Sequence, residues 1–193
     1  MNKEQERTIG DYQVIRTLGS GTTCKVKLAR SMSDNKEYAI KVIKKERFES
    51  NPYLEGKVNC EIAILRIIDH PNIIKLHDVL ESKRHIFIVE EYAEEGELFD
   101  YINQHKQLSV IAAMDMFRQI IYALDYMQQS KICHRDLKLE NNLLDSNMKI
   151  KIADFGFACW MKEGVATTCC GSPHYTAPEI IKGLIYDGRA VDI

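Results

Sequence analysis

The sequence predicts an α+β chain of two lobes, a small β-rich N-terminal lobe and a mainly helical C-terminal one. Three observations predict it. Strand-type patterns crowd the first half, around Val14–Leu28, Glu37–Ile43 and Ile86–Val89. The polar run Glu94-Glu95-Gly96-Glu97 then breaks the pattern, marking a hinge. Beyond it, residues 109–129 carry helical periodicity over about five turns.

The bulk properties set wide bounds. A chain of 193 residues can bury one sizeable core, and 45% hydrophobic with 28% charged residues is ordinary for a globular protein. A formal net charge of −2 gives no electrostatic case for nucleic acid or an anionic membrane as partner. No apolar run reaches the length of a membrane span, the start is not basic-then-apolar, and Asn2 stands where a myristoylated chain has Gly. The six cysteines (24, 60, 133, 159, 169 and 170) lack metal-ligand spacing, and a bridge between adjacent Cys169 and Cys170 would be strained. Reduced thiols in a cytoplasmic, or alternatively nuclear, protein are expected.

In order along the chain, residues 1–11 are polar and aperiodic, a mobile lead-in. Gly19-Ser20-Gly21-Thr22-Thr23-Cys24-Lys25-Val26 lies between apolar stretches. Its two glycines suit either an ordinary hairpin turn or a backbone that approaches a phosphate closely. In the strand Glu37–Ile43 the two-residue period puts Ala39 and Lys41 on one face and Ile40 and Val42 on the other. Residues 54–68 read as a helix with Val58, Ile62 and Leu65 on its buried stripe and Glu61 beside it, ended at Asp69-His70-Pro71-Asn72. In the helix 109–129, Ser109 is the N-cap, Phe117, Ile120, Ile121 and Leu124 form the buried face, and Met114, Met116 and Met127 are filler.

The chemistry concentrates in His134-Arg135-Asp136-Leu137-Lys138-Leu139-Glu140-Asn141 and in Asp154-Phe155-Gly156. Asp136 can take a proton from a hydroxyl, and Lys138 can neutralise charge on a transferring phosphoryl group. Asn141 and Asp154 offer the oxygen ligands that Mg²⁺ prefers. A hairpin of Asn142–Asp145 and Met148–Ala153, turning at Ser146-Asn147, would return Asp154 to Asn141.

These two motifs resemble the catalytic loop and the magnesium-binding motif of protein kinases. Gly19–Val26 resembles the kinase glycine-rich loop with Cys24 at its third glycine, Ala39-Ile40-Lys41 the strand of the phosphate-binding lysine, and Ala177-Pro178-Glu179 the end of an activation segment. With Lys138 in it, the catalytic loop resembles that of a Ser/Thr rather than a tyrosine kinase. Glu97–Ile102 and Cys170–Tyr175 resemble the AMP-activated and sucrose-non-fermenting-related branch of the calmodulin-dependent group. The resemblance implies a bilobal protein-kinase-like fold over 12–193, with N-lobe about 12–91, hinge about 91–96 and a partial C-lobe about 97–193 that is incomplete at its C-terminus.

It also implies roles. Asp136 and Lys138 are catalytic, with Lys41 held by an ion pair to Glu61. ATP is bound by Leu18, Gly19, Ser20, Gly21, Thr22, Thr23, Cys24, Val26, Ala39, Lys41, Glu91, Ala93, Glu97 and Leu143. Asn141 and Asp154 hold Mg²⁺. Asp192 bonds the catalytic-loop backbone, and Phe155 stacks with Leu65, Leu76 and His134. Thr168 is the activation-loop phosphosite for an upstream kinase, with Arg135 as the cation for its phosphate. Glu97 favours a protein substrate with a basic residue upstream of the target Ser/Thr. Two departures stand out. Glu90 sits where the pocket behind adenine is normally gated by an apolar residue or Thr, so a buried carboxylate there needs a partner. Leu139 and Asn142 replace Pro and Leu. Because the chain stops at the opening of the helix that begins near Val191, weak stability and low activity are expected. The alternative function is a catalytically weak or inactive module that binds nucleotide or protein partners.

Overall fold

The chain is described by a computed structural model covering residues 8–21, 24–161 and 164–193, so Thr22, Thr23 and the first seven residues lie outside it. It divides into two compact units, one of the residues up to Gly56 with Lys75–Tyr92, the other of Lys57–Ile74 with Ala93–Ile193.

The first unit is built on β1 (Thr8–Ile9), β2 (Tyr12–Ser20), β3 (Cys24–Ser31) and β4 (Glu37–Lys44). The short α1 (Glu46–Ser50) and the start of α2 (Pro52–Ile67) follow, then β5 (Leu76–Glu81) and β6 (His85–Glu91). The six strands form one antiparallel sheet in the order β1-β2-β3-β4-β6-β5. Register shifts between Val14 and Arg16 and between Thr17 and Gly19 bend β2 against β3 as it enters the glycine pair. Alternation decides the faces. Tyr12, Ala29, Tyr38, Ile40 and Val89 form a core cluster, with Tyr12 edge-on to Tyr38 and His77 stacked on Tyr38 at 4.2 Å. The Tyr38 hydroxyl donates to Asp34 Oδ2 at 2.7 Å. Burial, then Asp34, pushes this phenol up to about 12. On β4 the residues that alternate with that core are Ala39, paired with Glu90, and Lys41, paired with Ile88.

The second unit opens with the rest of α2, whose Val58, Ile62, Ile64 and Leu65 are buried together with Glu61. It continues through β7 (Gly96–Glu97), α3 (Leu98–His105), α4 (Val110–Gln129), β8 (Ile132–Cys133), β9 (Asn142–Leu144) and β10 (Ile150–Ile152). The last elements are β11 (Cys159–Trp160), β12 (Val165–Ala166), α5 (Pro178–Ile181) and β13 (Tyr186–Asp187). β10-β9-β7 make a small sheet, and β11 pairs with β8 and β12 with β13.

Ser109 caps α4 by accepting from the Ala112 amide at 3.2 Å. The helix buries Met116, Gln119, Ala123, Leu124 and Met127. Phe117 and Ile121, expected on the buried face, are 65% and 38% exposed instead. The reason is a second apolar stripe: Val110, Met114, Phe117 and Ile121 recur at helical spacing, so periodicity alone could not choose between faces. What decides it is Gln119, whose Oε1 accepts from Asn72 Nδ2 and from the Ile150 amide, both at 2.9 Å. Asn72 Nδ2 also donates to Ile150 O at 3.0 Å, and the Ile152 amide donates to Asn72 O at 2.8 Å. A buried polar network thus ties α4 to β10, the strand that leads to Asp154. Among the described residues no helix is long and apolar enough to cross a membrane.

Candidate functional site

In the second unit the loop from His134 to Asn141 is held from both ends. Asp192 accepts from the amides of His134 at 2.6 Å (Oδ2) and Arg135 at 2.7 Å (Oδ1), as the resemblance implies. His134 is fully buried: its Nδ1 accepts from the Asp136 amide at 3.3 Å, so its Nε2 donates to Ala153 O at 3.1 Å. Its ring stands edge-on to Phe155 at 4.8 Å, also fully buried. These contacts hold Arg135 in the left-handed region, φ 65°, a conformation a non-glycine residue keeps only when its surroundings impose it.

Asp136 is buried, and both of its oxygens are engaged. Oδ1 accepts from the Ser172 amide at 2.7 Å. Oδ2 accepts from Asn141 Nδ2 at 3.1 Å and lies 3.1 Å from Lys138 Nζ. Lys138 Nζ donates in turn to Ser172 Oγ at 2.8 Å. A carboxylate, an ammonium and a hydroxyl therefore converge, an arrangement able to orient a hydroxyl and stabilise charge on a group transferred to it. Ser172 was not singled out in the sequence; nothing in the local pattern distinguishes it from a turn serine.

The hairpin forms as expected, with Leu144, Leu143 and Asn142 opposite Ile150, Lys151 and Ile152. Its turn is longer than Ser146-Asn147, because Asp145 Oδ1 accepts from the Asn147 and Lys149 amides at 2.8 and 2.9 Å. The Ala153 amide donates to Asn141 O at 2.8 Å, which brings Asp154 back beside Asn141. Asp154 is exposed, with φ 63° and ψ 71°. Asn141 Nδ2 is spent on Asp136 O (2.8 Å) and Oδ2, which turns the amide oxygen away from Asp136. One carboxylate and one amide oxygen are a donor set that fits Mg²⁺, which keeps waters and phosphate oxygens for its remaining positions. Among the described residues no group of three or more His, Cys, Asp and Glu could cage a metal by itself. A Cβ on Gly156 would stand 3.3 Å from Asp154 Oδ1 and 3.8 Å from Glu61 Oε2, which places the Glu61 carboxylate near this motif.

Thr168 is exposed, and its carbonyl accepts from the Tyr186 hydroxyl at 2.9 Å. That hydroxyl accepts from Arg135 Nη1 at 3.0 Å, while Arg135 Nε donates to Phe157 O at 2.8 Å. Gly171 has φ 101°, and a Cβ there would come within 2.7 Å of Arg135 O. All six cysteines are free. Burial pushes the Cys60, Cys159 and Cys170 thiols up, against the lowering pull of Arg135. On the same unit Glu97 lies directly opposite Leu143 in the β7–β9 pair. Its carboxyl is held above the usual range by burial, then by Asp100 and Glu140, with Lys138 opposing. Asn142, one of the two departures in the loop, is buried with Nδ2 donating to Lys138 O at 2.8 Å.

In the first unit Val26 on β3 pairs with Lys41 and Leu28 with Ala39. The chain from Leu18 reaches the glycine pair, where the Gly21 amide donates to Cys24 O at 3.0 Å. Lys41 Nζ lies 3.1 Å from Glu90 Oε1, an ion pair that gives the buried carboxylate a countercharge. Glu91 Oε1 accepts from the Lys75 amide at 2.8 Å. Ala93 belongs to the other unit, where it is buried and its carbonyl accepts from the Gly96 amide at 3.3 Å.

Comparison with known sequences agrees with these features. A sequence model of the family described as "Protein kinase domain" matches residues 12–193. Among curated proteins, carbon catabolite-derepressing protein kinases are similar to this chain. The one from Candida glabrata is 46% identical over 186 residues, which is 96% of this chain and 30% of the relative. The one from Saccharomyces cerevisiae is 47% identical over 186 residues, 96% of this chain and 29% of the relative. The chain thus spans about 30% of the length of the curated relatives it matches.

Proposed function

Because the chain belongs to the protein kinase domain family, we propose that it carries out ATP-dependent phosphorylation of Ser/Thr hydroxyls in protein substrates. The observation that carries this reading is the convergence of Lys138 and Asn141 on the Asp136 carboxylate, within 3.1 Å each. Asp136 orients the acceptor hydroxyl and takes its proton, and Lys138 offsets charge on the transferred group. Asn141 and Asp154 hold Mg²⁺, which when bound neutralises charge on the nucleotide phosphates. Lys41 donates to phosphate oxygens, and the glycine loop at Leu18, Gly19, Ser20 and Gly21 covers them. Within the first unit, Val26 and Ala39 offer an apolar surface to adenine, and Glu91 offers a backbone carbonyl to its edge.

The curated relatives are named as carbon catabolite-derepressing protein kinases, which supports a protein acceptor, and Lys138 two residues after Asp136 supports Ser/Thr rather than tyrosine as its target. The raised carboxyl of Glu97, with Asp100 and Glu140 as its neighbouring negative charges, supports attraction of a cation. A substrate with Arg or Lys upstream of the target hydroxyl would relieve that repulsion. Exposed Thr168, linked through Tyr186 to Arg135, is the site at which an upstream kinase would add phosphate.

The test is transfer from Mg·ATP to paired serine peptides that differ only in Arg or Ala upstream, read by mass spectrometry. Transfer to the Arg peptide exceeding that to the Ala peptide is expected. Nucleotide binding without transfer to either peptide would instead support a binding module.

A further inference from the structure

We propose that Glu90 is a positioning residue that acts through Lys41, as a counterion with which incoming nucleotide phosphate must compete, and that it holds the affinity of the chain for nucleotide phosphates down. This rests on the kinase reading for the role of Lys41. The two side chains are 12% and 5% exposed, with 3.1 Å between Lys41 Nζ and Glu90 Oε1. They stand on adjacent strands of one sheet, where Ala39 is directly opposite Glu90 and Lys41 is two residues further along β4. With only a methyl group opposite, the glutamate has room to lean along β4 to the ammonium. On β5 it faces Leu76, which offers no competing charge.

The pair lies within one sheet, so its geometry does not depend on where α2 carries Glu61. A buried pair is poorly screened, and its cancellation of charge extends to any anion that approaches the lysine. An ammonium has three donor directions, so phosphate oxygen can share Lys41 with Glu90. It must do so against the negative charge of the carboxylate. Glutamine at position 90 would keep an acceptor of the same shape and remove that charge. The carboxylate therefore sets a weaker hold on the polyphosphate than Lys41 alone would give, and it favours nucleotide release.

The experiment compares the unsubstituted protein with Glu90→Gln, measuring the affinity of each for Mg·ATP and for adenosine, which has no phosphate, by calorimetry. Glu90→Gln should bind Mg·ATP about tenfold more tightly, with adenosine affinity unchanged. Glu90→Leu, which removes charge and acceptor together, should move Mg·ATP affinity in the same direction. Unchanged or weaker Mg·ATP binding by Glu90→Gln would overturn the proposal, as would an equal change for adenosine, which marks a general change of pocket shape. An unsubstituted protein that binds neither ligand would overturn the kinase reading and this inference together. One that binds both, with no tightening on substitution, overturns this inference alone.

Discussion

Replacing Asp192 with Ala removes one side chain and strands two backbone donors. Its carboxylate accepts from the His134 and Arg135 amides at 2.6 and 2.7 Å, both part-buried. A hydrogen bond to a charged group contributes about 1.5–3 kcal/mol, and a buried donor left unpaired costs about as much again as its desolvation. Because Asp192 is itself only half-buried, water can reach part of the gap, and about 3 kcal/mol is the expected loss. The left-handed Arg135, φ 65°, adds a second effect. Without the carboxylate the backbone can relax toward an unstrained conformation, which moves Asp136. The sole tryptophan, Trp160, pairs with Ile132 just ahead of this loop and reports on it by fluorescence. With a urea slope of about 2 kcal/mol/M, the unfolding midpoint of Asp192→Ala should fall by roughly 1.5 M. Asp192→Asn should fall between, since one amide oxygen can accept while its NH₂ faces the second donor. A midpoint within about 0.3 M of the unsubstituted protein would refute the claim that Asp192 holds the loop.

Four further outcomes are expected. Gly171→Ala forces a Cβ to within 2.7 Å of Arg135 O at φ 101°; it should cost about 1–3 kcal/mol in chemical denaturation and lower phosphotransfer by shifting the Ser172 amide off Asp136. Gln119→Leu leaves Asn72 Nδ2 and the Ile150 amide short of an acceptor, and should lower stability by about 2–4 kcal/mol in the same assay. Tyr38 titrates at about 12 against an ordinary value of 10.0. The folded state therefore favours the neutral phenol, and that stability, complete below pH 10, is lost as pH rises toward 12; thermal melts of Tyr38→Phe should lack this alkaline slope. Thr168→Ala should abolish the gain in activity produced by an activating kinase, measured as peptide phosphorylation before and after its treatment.

Much of the fold was legible because its periodicities were clean. The stripe Val58, Ile62, Leu65 on α2 and the alternation of Ala39, Ile40 and Lys41 on β4 each had one reading, and the structure has it. Helix α4 had two apolar stripes, and the choice between them fell to a polar residue. Gln119 is buried because Asn72 and Ile150 need an acceptor there, a requirement visible only once distant segments meet. The hairpin was legible from its flanking strands, while its turn depended on Asp145 folding its carboxylate onto two amides. At the site, the residue types and spacing of Asp136, Lys138, Asn141 and Asp154 singled them out in the sequence. Ser172 did not, since its amide reaches Asp136 from 36 residues away. Glu90 was conspicuous as a buried carboxylate, but its pairing with Lys41 required the register of β4 on β6.

Phosphoryl transfer to a hydroxyl at the Asp136 cluster is the proposed reaction. Its most direct test is Asp136→Asn, which keeps the shape of the side chain and removes its ability to take a proton. Mg·ATP affinity and single-turnover transfer to a serine peptide with an upstream Arg are measured on both proteins. Transfer by Asp136→Asn should be lowered by about 10²–10⁴-fold with Mg·ATP affinity retained. Transfer at the unsubstituted rate by Asp136→Asn would contradict it.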